Sequence, residues 1–354
     1  MIKKLAVLGI HGSSLRFLES FLINRTQKLK IHGLTSRAAP VRRGVPQGSV
    51  LDPILFNLYV WDLPRVVQWS KIVMYADDVQ LVFRCKNFEI NSTTRLQEDL
   101  TEISHWMNDN GLQINVKKTQ ALHIKNKDAR SPRLNINDEE IQFGEVARDL
   151  GVYFDKELRF EQHISRCVRS ARWKLFKIRS LIPFLTQERL RRLVQSCILY
   201  PMLYGSAVFG PRILVKDLRR LQIVQNYAVK VINGRKWRDH CSDLYLEMKW
   251  ARIPQLIATK LTCLTHTAVS GALGEDLKKL FVKFDHSHGT RGNQTRLQLG
   301  TYRKEGFTSF RYTGAHYANM LPLPAKKETT QEFRKRFLQH LVENATSKNI
   351  FRKP

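Results

Sequence analysis

Acidic residues are scarce in this sequence of 354 residues. It contains 31 Asp or Glu against 59 Lys or Arg, which gives a formal net charge of +28 and a pI near 10.2. The chain is not short of apolar residues, because 43% are hydrophobic and 10% aromatic, which is typical of a folded protein. This imbalance predicts a polyanionic partner: nucleic acid first, an anionic membrane surface second, and acidic proteins third.

Paired cysteines and long apolar runs are missing as well. The five cysteines lie far apart, which excludes a zinc ribbon and a redox dithiol and is typical of reduced intracellular thiols. The apolar start is too short for a signal peptide, since Arg16 and Glu19 follow it closely. The least polar stretch, residues 196–210, is shorter than the roughly 20 residues that cross a bilayer. We therefore expect neither export nor a membrane-spanning segment.

The sharpest local feature is Asp77-Asp78, which separates two short apolar runs, residues 72–76 and 79–83. This spacing predicts a hairpin whose two-residue turn holds both carboxylates. Adjacent ionised carboxylates repel each other, and a divalent cation would neutralise them in the way that phosphoryl transfer requires. The plainer alternative is an ordinary solvated turn, since Asp is common in turns.

Other patterns place helices and strands around this hairpin. Asp52, followed by proline, predicts a helix N-cap. Thr94 with Gln97 predicts a capping box for a helix that ends at Gly111. Apolar alternation over residues 112–116 predicts a strand.

From about residue 160 the sequence becomes helical and basic. Residues 156–240 contain 19 Lys or Arg and 5 Asp or Glu, a net charge of +14. Because a merely soluble face mixes both signs, this imbalance predicts helices that contact phosphates. The apolar stripe of the first helix is Ile164, Val168, Ala171, Leu175 and Ile178. The aromatic residues interpreted here as core, not as base-stacking platforms, are Trp173, Tyr200, Tyr204 and Phe209.

Four blocks follow one another along the chain. They are Gly44-Val-Pro-Gln-Gly-Ser-Val-Leu-Asp-Pro, Tyr75-Ala-Asp-Asp, Gly111-Leu-Gln-Ile-Asn-Val-Lys-Lys-Thr and Leu150-Gly-Val-Tyr-Phe. With them, nearly the whole chain resembles the reverse transcriptase of jockey-like non-LTR retrotransposons. The resemblance implies an α+β fold: an incomplete polymerase palm, with an antiparallel sheet and helices, followed by a mainly helical thumb and a C-terminal tail. The implied boundaries are 1–149, 150–240 and 241–354.

The resemblance also implies a set of site residues. Asp77 would be a catalytic, metal-binding aspartate, with Asp78 beside it on the same turn. Gln47 and Gly48 would lie next to the incoming nucleotide and the template, and Lys118 near the triphosphate. The implied activity is nucleotidyl transfer from deoxynucleotides on an RNA template, with Mg²⁺ or Mn²⁺ as cofactor and an RNA–DNA duplex held by the basic thumb. Residues 150–154 would form the primer grip.

One departure from the family pattern stands out. Members carry another catalytic aspartate in a strand that precedes the segment resembling residues 4–10, whereas residues 1–18 contain no acid at all. We therefore expect an N-terminally truncated chain that lacks one side of the two-metal site and is inactive alone. The missing strand would leave an exposed palm edge that could recruit a protein partner.

Three functional hypotheses follow. The first is a polymerase located in the nucleus, the cytoplasm or both, without a membrane partner. The second is a non-catalytic nucleic-acid-binding remnant. The third is a basic interaction protein with no nucleic-acid role, which the local concentration of charge disfavours.

Overall fold

Helices and short antiparallel strand pairs make up the chain, and the predicted α+β class is confirmed. The computed structural model describes residues 1–41, 43–46, 48–84, 90–124, 132–282, 297–299, 309–320 and 329–343. The chain divides into two compact units, Met1–Ala121 with Asn126–Phe143, and Leu122–Lys125 with Gly144–Pro354.

The first unit combines helices with paired short strands. Its helices are α1 (Ile2–Val7), α2 (Gly12–Leu22), α3 (Asp52–Val60) and α4 (Ile90–Asp109). The strands up to the unit boundary are β1 (Arg25–Gln27), β2 (Lys30–Ile31), β3 (Leu34–Thr35), β4 (Ala39–Val41), β5 (Lys71–Tyr75), β6 (Asp78–Val82), β7 (Ala121–Leu122), β8 (Asn135–Ile136), β9 (Glu139–Glu140) and β10 (Phe143–Gly144). The pairs β1–β4, β2–β3, β5–β6 and β8–β9 are antiparallel.

Helix α3 is capped differently from the prediction. Its N-cap is Leu51, whereas Asp52 is the first helical residue and precedes Pro53. The Ser49 hydroxyl accepts a hydrogen bond from the Asp52 amide at 3.1 Å, so a neighbouring side chain satisfies the helix start. Inside the first turn, the Asp52 charge lies at the positive end of the helix dipole.

Helix α4 begins at Ile90, so the capping box predicted at Thr94 and Gln97 is wrong. The Gln97 side chain instead donates to and accepts from the Asn135 backbone, at 2.9 Å in each direction. This exchange ties α4 to β8. The predicted end of the helix at Gly111 is confirmed, and this glycine adopts a φ of +64°, which L residues disfavour.

The strand predicted over residues 112–116 is also wrong. Leu112 and Ile114 pack against the hydrophobic core, and a 3₁₀ turn follows at Val116–Lys118. The Asn115 side chain accepts a hydrogen bond from the Lys118 amide at 3.1 Å, which favours the turn over strand pairing. The alternation therefore reflects burial of every second side chain without a partner strand.

The second unit is mainly helical. Its strands are β11 (Val146–Asp149) and β12 (Val152–Asp155), which pair antiparallel. Its helices are α5 (Glu161–Arg179), α6 (Gln187–Val194), α7 (Tyr200–Met202), α8 (Ser206–Phe209), α9 (Val215–Ile232), α10 (Ser242–Glu247), α11 (Ile253–Val269), α12 (Glu275–Lys278), α13 (Phe310–Ala318) and α14 (Thr330–Glu343). A π turn at Gln195–Leu199 joins α6 to α7. Among the described residues no single helix is long and apolar enough to cross a membrane, and only Gln187–Met202 and Ser206–Arg212, bent by 49°, reach that length together.

The apolar stripe predicted for α5 is confirmed, since all five of its residues are buried in the core of this unit. Of the four aromatic residues predicted to be core, only one is buried, and the prediction is wrong for the other three. Phe209 is fully buried, whereas Trp173, Tyr200 and Tyr204 are 62%, 57% and 55% exposed. Trp173 lies off the buried stripe of α5, which is why its ring is left in solvent.

The C-terminal helix packs into the same core. Phe337 of α14 is fully buried in the cluster that contains the α5 stripe. Phe333, one turn earlier, stacks on the ring of His266 in α11 with 4.7 Å between ring centres. Helix α14 is therefore an integral part of the second unit.

Candidate active site

The two predicted catalytic aspartates lie at the tip of the hairpin formed by β5 and β6, the aspartate hairpin. Tyr75 pairs with Asp78, so the two-residue turn is Ala76–Asp77 and Asp78 is the first residue of β6. The turn lies one residue earlier than predicted, because strand pairing continues to the Tyr75–Asp78 pair. Both aspartates are exposed to solvent.

One face of the aspartate hairpin is buried and the other is exposed to solvent. The side chains packed against the core of the first unit are Ile72, Met74, Val79 and Leu81. On the opposite face Val73, Tyr75 and Val82 are 42%, 66% and 51% exposed. In the described part of the chain β5 and β6 pair only with each other, so both outer edges of this two-stranded sheet are open.

A buried carboxylate holds the base of the hairpin. Asp99 of α4 is 1% exposed and accepts hydrogen bonds from the backbone amides of Gln68, Trp69 and Ser70, the three residues before β5. The distances are 2.8, 3.2 and 2.7 Å. Sequence reasoning missed this residue, although its spacing, three residues after Leu96 and four before Ile103, places an acid on the apolar face of the helix.

The Trp69 side chain adds a second clamp between α4 and this segment. Its indole nitrogen donates to the Glu98 carboxylate at 2.8 Å, and the Arg95 guanidinium lies 4.5 Å from the ring centre. Backbone and side-chain contacts thus hold the segment before β5 against one helix, which preorganises the aspartate hairpin.

An N-terminal lysine anchors α1 to the same core. The Lys4 ammonium lies 2.7 Å from the Asp62 carboxylate and donates to the Tyr59 carbonyl at 2.9 Å. It also lies 4.4 Å from the centre of the Trp106 ring. Because Lys4 already binds Asp62, one of the three acids that precede Asp77 in the sequence is engaged in a structural contact.

The other predicted site residues lie on surface turns. Gly48 is exposed with a φ of +90°, and a Cβ there would meet nothing within 4 Å, so conformation and not space requires glycine. Lys118 is exposed on the 3₁₀ turn, and Gln47 lies outside the described residues. Within the described chain, no hydrogen bond or ion pair joins Gly48 or Lys118 to the aspartates, although the core beneath the hairpin is shared by α3 and by Ile114.

The carboxylates of Asp77 and Asp78 are hard oxygen donors, the chemistry that Mg²⁺ and Mn²⁺ prefer. Their exposure at a rigid tip fits part of a metal site. In the described part of the chain, however, no group of three or more His, Cys, Asp or Glu side chains could hold a metal ion. Among the described residues, Asp77 and Asp78 therefore supply a single pair of carboxylates to such a site.

Residues 150–154 form the tip and second strand of the β11–β12 hairpin. Leu150 and Gly151 form its turn with φ angles of +43° and +85°, the positive angles of a tight hairpin turn. The Tyr204 hydroxyl donates to the Leu150 carbonyl at 2.8 Å, and Val152 is buried. The segment predicted as the primer grip is thus fixed onto the helical core of the second unit.

The basic helices carry charge that local acids do not neutralise. Four of the five acids in residues 156–240 each bind one nearby cation, in the pairs Glu157–Arg159, Glu161–Lys216, Glu188–Arg192 and Asp217–Arg220. The fifth, Asp239, accepts from the Lys236 amide at 2.8 Å. The excess of cations seen in the sequence therefore remains available to a polyanion.

Comparison with known proteins agrees with these features. Residues 2–165 match the reverse transcriptase (RNA-dependent DNA polymerase) family. The RNA-directed DNA polymerase from mobile element jockey of Drosophila melanogaster is 28% identical over 295 residues, which cover 80% of this chain and 30% of that protein. The Drosophila funebris polymerase of the same name is 26% identical over 248 residues, 67% of this chain and 27% of that protein.

The chain spans less than a third of the length of these curated relatives. The matched family region contains Gly48, the aspartate hairpin, Lys118 and the β11–β12 hairpin. The resemblance predicted from the four sequence blocks is confirmed: residues 2–165 match the reverse transcriptase family, and the chain is similar to the jockey-like RNA-directed DNA polymerases.

Proposed function

We propose that the chain acts in RNA-templated DNA synthesis by two-metal nucleotidyl transfer, with Asp77 and Asp78 as catalytic carboxylates. In this reaction the primer 3′-hydroxyl attacks the α-phosphate of a deoxynucleotide and pyrophosphate leaves. The observation that carries the proposal is the exposed aspartate pair at the tip of a hairpin that Asp99 holds in place. The reverse transcriptase match over residues 2–165 supports it.

The resemblance gives roles to the remaining site residues. A bound Mg²⁺ or Mn²⁺ ion would supply positive charge at the reacting phosphates. Gly48, together with Gln47, would let the backbone approach the nucleotide and the template. The exposed Lys118 ammonium would attract the triphosphate electrostatically.

The basic helices of the second unit would hold the RNA–DNA duplex through phosphate contacts, so duplex binding should weaken steeply with salt. The open edges of the aspartate hairpin offer a place where a strand of a protein partner could pair. We place this activity in the nucleus, the cytoplasm or both, where its RNA and DNA substrates are found.

We further propose that the chain alone turns over slowly or not at all. Two-metal catalysis requires carboxylates on both sides of the metal pair, and the described residues supply the Asp77–Asp78 pair on one side. Additional carboxylates would have to come from another polypeptide or another segment.

Primer extension on a poly-A RNA template with an oligo-dT primer and Mg²⁺ tests this function. The variants are Asp77→Asn and Asp78→Asn, and the matched control is Asp138→Asn, an exposed aspartate in the β8–β9 turn of the same unit. Extension that both site variants abolish and the control retains supports the polymerase. In parallel, Mn²⁺ binding followed by electron paramagnetic resonance should weaken in both site variants only, and equal Mn²⁺ binding in all four proteins would overturn the metal assignment.

The second candidate is a non-catalytic nucleic-acid-binding remnant. It is favoured by the uncompensated charge of the basic helices, which does not depend on the aspartates. Tight, salt-sensitive duplex binding, together with Mn²⁺ binding that is equal in the parent chain and in Asp77→Asn, supports this candidate. Absence of extension alone does not separate the two candidates, because the chain alone is proposed to turn over slowly or not at all. Absence of both extension and duplex binding contradicts both candidates.

A further inference from the structure

Several large aromatic side chains in the described part of the second unit are exposed, and four of them lie near one end of a helix pair. They share high exposure and proximity to one end of the α5–α9 helix pair. Their exposed fractions are 62% for Trp173, 70% for Phe176, 79% for Phe184 and 71% for Trp237. We call these four residues the aromatic end.

Helices α5 and α9 run side by side in the same direction. Near their starts, the Lys216 ammonium lies 3.0 Å from the Glu161 carboxylate. Further along both helices, the Arg179 guanidinium donates to the Tyr227 hydroxyl at 3.2 Å. The C-terminal ends of the two helices therefore lie together. Trp173 is six residues before Arg179, about 9 Å along the axis at the helical rise per residue.

The segments that leave the two helices are joined as well. The Gln187 side chain donates to the Asn233 side chain at 2.7 Å. Phe184 lies three residues before Gln187, and Trp237 lies four residues after Asn233. All four aromatic residues therefore belong to this one end of the helix pair.

The loop that carries Trp237 is ordered by its own hydrogen bonds. The Lys230 ammonium donates to the Trp237 carbonyl at 2.6 Å, and the Lys236 amide donates to the Asp239 carboxylate at 2.8 Å. The Arg235 guanidinium lies 3.1 Å from the Asp243 carboxylate. The indole is thus held outward by a fixed backbone.

Cations are interspersed among these rings. The Lys177 ammonium lies 5.5 Å from the centre of the Trp173 ring. Arg172, Lys236 and Arg238 are exposed, and in the part of the chain that the structure describes none of them forms an ion pair. Exposed rings between uncompensated cations match an anionic ligand that also has flat apolar faces.

We propose that the aromatic end binds single-stranded nucleic acid, with unpaired bases stacked on its rings and phosphates bound by the neighbouring cations. A duplex cannot satisfy both groups, because its base faces are covered by neighbouring base pairs. A membrane surface fits less well, because the rings alternate with cations instead of forming one apolar face. This site uses no residue of the aspartate hairpin and does not depend on catalysis.

Fluorescence anisotropy with the full chain tests the proposal. The probes are a labelled oligo-dT strand and an abasic strand of equal length and charge. The variants are Trp237→Ala and Phe176→Ala, and the matched control is Tyr200→Ala, another exposed aromatic residue of the same unit. We expect affinity for oligo-dT to fall about fivefold to tenfold in each variant, in the range of a lost base–aromatic stack, and to stay unchanged in the control. Affinity for the abasic strand should be equal in all four proteins.

A Trp237→Phe variant, which keeps a stacking ring, should retain most of the affinity for oligo-dT. An equal loss on the abasic strand, or the same loss in Tyr200→Ala, would overturn the proposal, as would loss of binding to phosphatidylserine vesicles without loss of oligo-dT binding. The proposed polymerase function fails separately: Asp77→Asn should leave oligo-dT binding unchanged whether or not primer extension is detected.

Discussion

The Asp99 carboxylate lies 2.7 Å from the backbone nitrogen of Ser70, the residue directly before the first strand of the aspartate hairpin. The same carboxylate, 1% exposed, also accepts from the amides of Gln68 and Trp69. A buried carboxylate is tolerated when several donors satisfy it, and here the donors are backbone amides that lead into the aspartate hairpin. Helix α4 thus determines where the hairpin begins.

We expect Asp99→Ala to destabilise the first unit by about 3 kcal/mol, because it leaves buried amides without an acceptor. The matched control is Glu98→Gln, which changes an exposed carboxylate on the preceding residue and should cost less than about 1 kcal/mol. Urea denaturation followed by tryptophan fluorescence measures both. Equal midpoints for the two variants would contradict the bracing role of Asp99.

Lys4 offers a second stability test. Lys4→Met removes the ion pair with Asp62 and the hydrogen bond to the Tyr59 carbonyl, so we expect a loss of about 1 to 2 kcal/mol. Lys3 is exposed, and Lys3→Met should be nearly neutral. Denaturation at low and high salt should show the Lys4 effect shrinking only partly, since its side chain is 20% exposed. Indistinguishable variants would show that α1 is not anchored through this lysine.

Local sequence patterns predicted the elements that depend on residues close together in the sequence. The apolar stripe of α5 was found from its spacing, and every member is buried. At the start of α6 the Thr186 hydroxyl accepts from the Arg189 amide, and threonine is a residue type that favours this N-cap position. The aspartate hairpin was found with an error of one residue, because spacing alone cannot show whether Tyr75 and Asp78 pair.

Contacts between distant residues could not be predicted in this way. Lys4 and Asp62 are 58 residues apart, and Gln97 reaches Asn135 across 38 residues, so no local window contains both partners. The predicted capping box failed because α4 begins at Ile90, four residues before Thr94, and the Gln97 side chain bonds to the distant strand β8 instead. Exposure of Trp173 was missed because an aromatic residue in an amphipathic helix is more often buried.

Alanine substitutions at two glycines with similar φ angles distinguish the cost of backbone strain from the cost of steric crowding. Gly205 has a φ of +68°, and an added Cβ would lie 2.6 Å from a methyl group of Val152. Gly234 has a φ of +64° with open space around it. We expect Gly234→Ala to cost about 1 kcal/mol for the left-handed backbone alone. Gly205→Ala should cost about 2 to 4 kcal/mol, since overpacking against Val152 is added. Equal costs would contradict the close contact between the β11–β12 hairpin and the α8 start.

Burial of His163 predicts that the second unit loses stability as the pH falls. Its ring is 4% exposed and lies 5.1 Å from the ring of Phe209, and burial lowers its pKa from the ordinary value of 6.5. The unfolded chain therefore takes up this proton first as the pH falls. The stability that His163 contributes is complete above its unfolded pKa and is lost as the pH falls through the lower folded pKa.

The neighbouring Cys167, whose pKa burial raises to about 11, stays a neutral thiol over the same range and does not contribute to this loss. Replacing His163 with Phe removes the titrating group while keeping an aromatic ring. We expect the free energy of unfolding of His163→Phe to fall less steeply between about pH 7 and about pH 5 than that of the parent chain. A slope in His163→Phe equal to that of the parent chain would show that this histidine is protonated without penalty in the folded state.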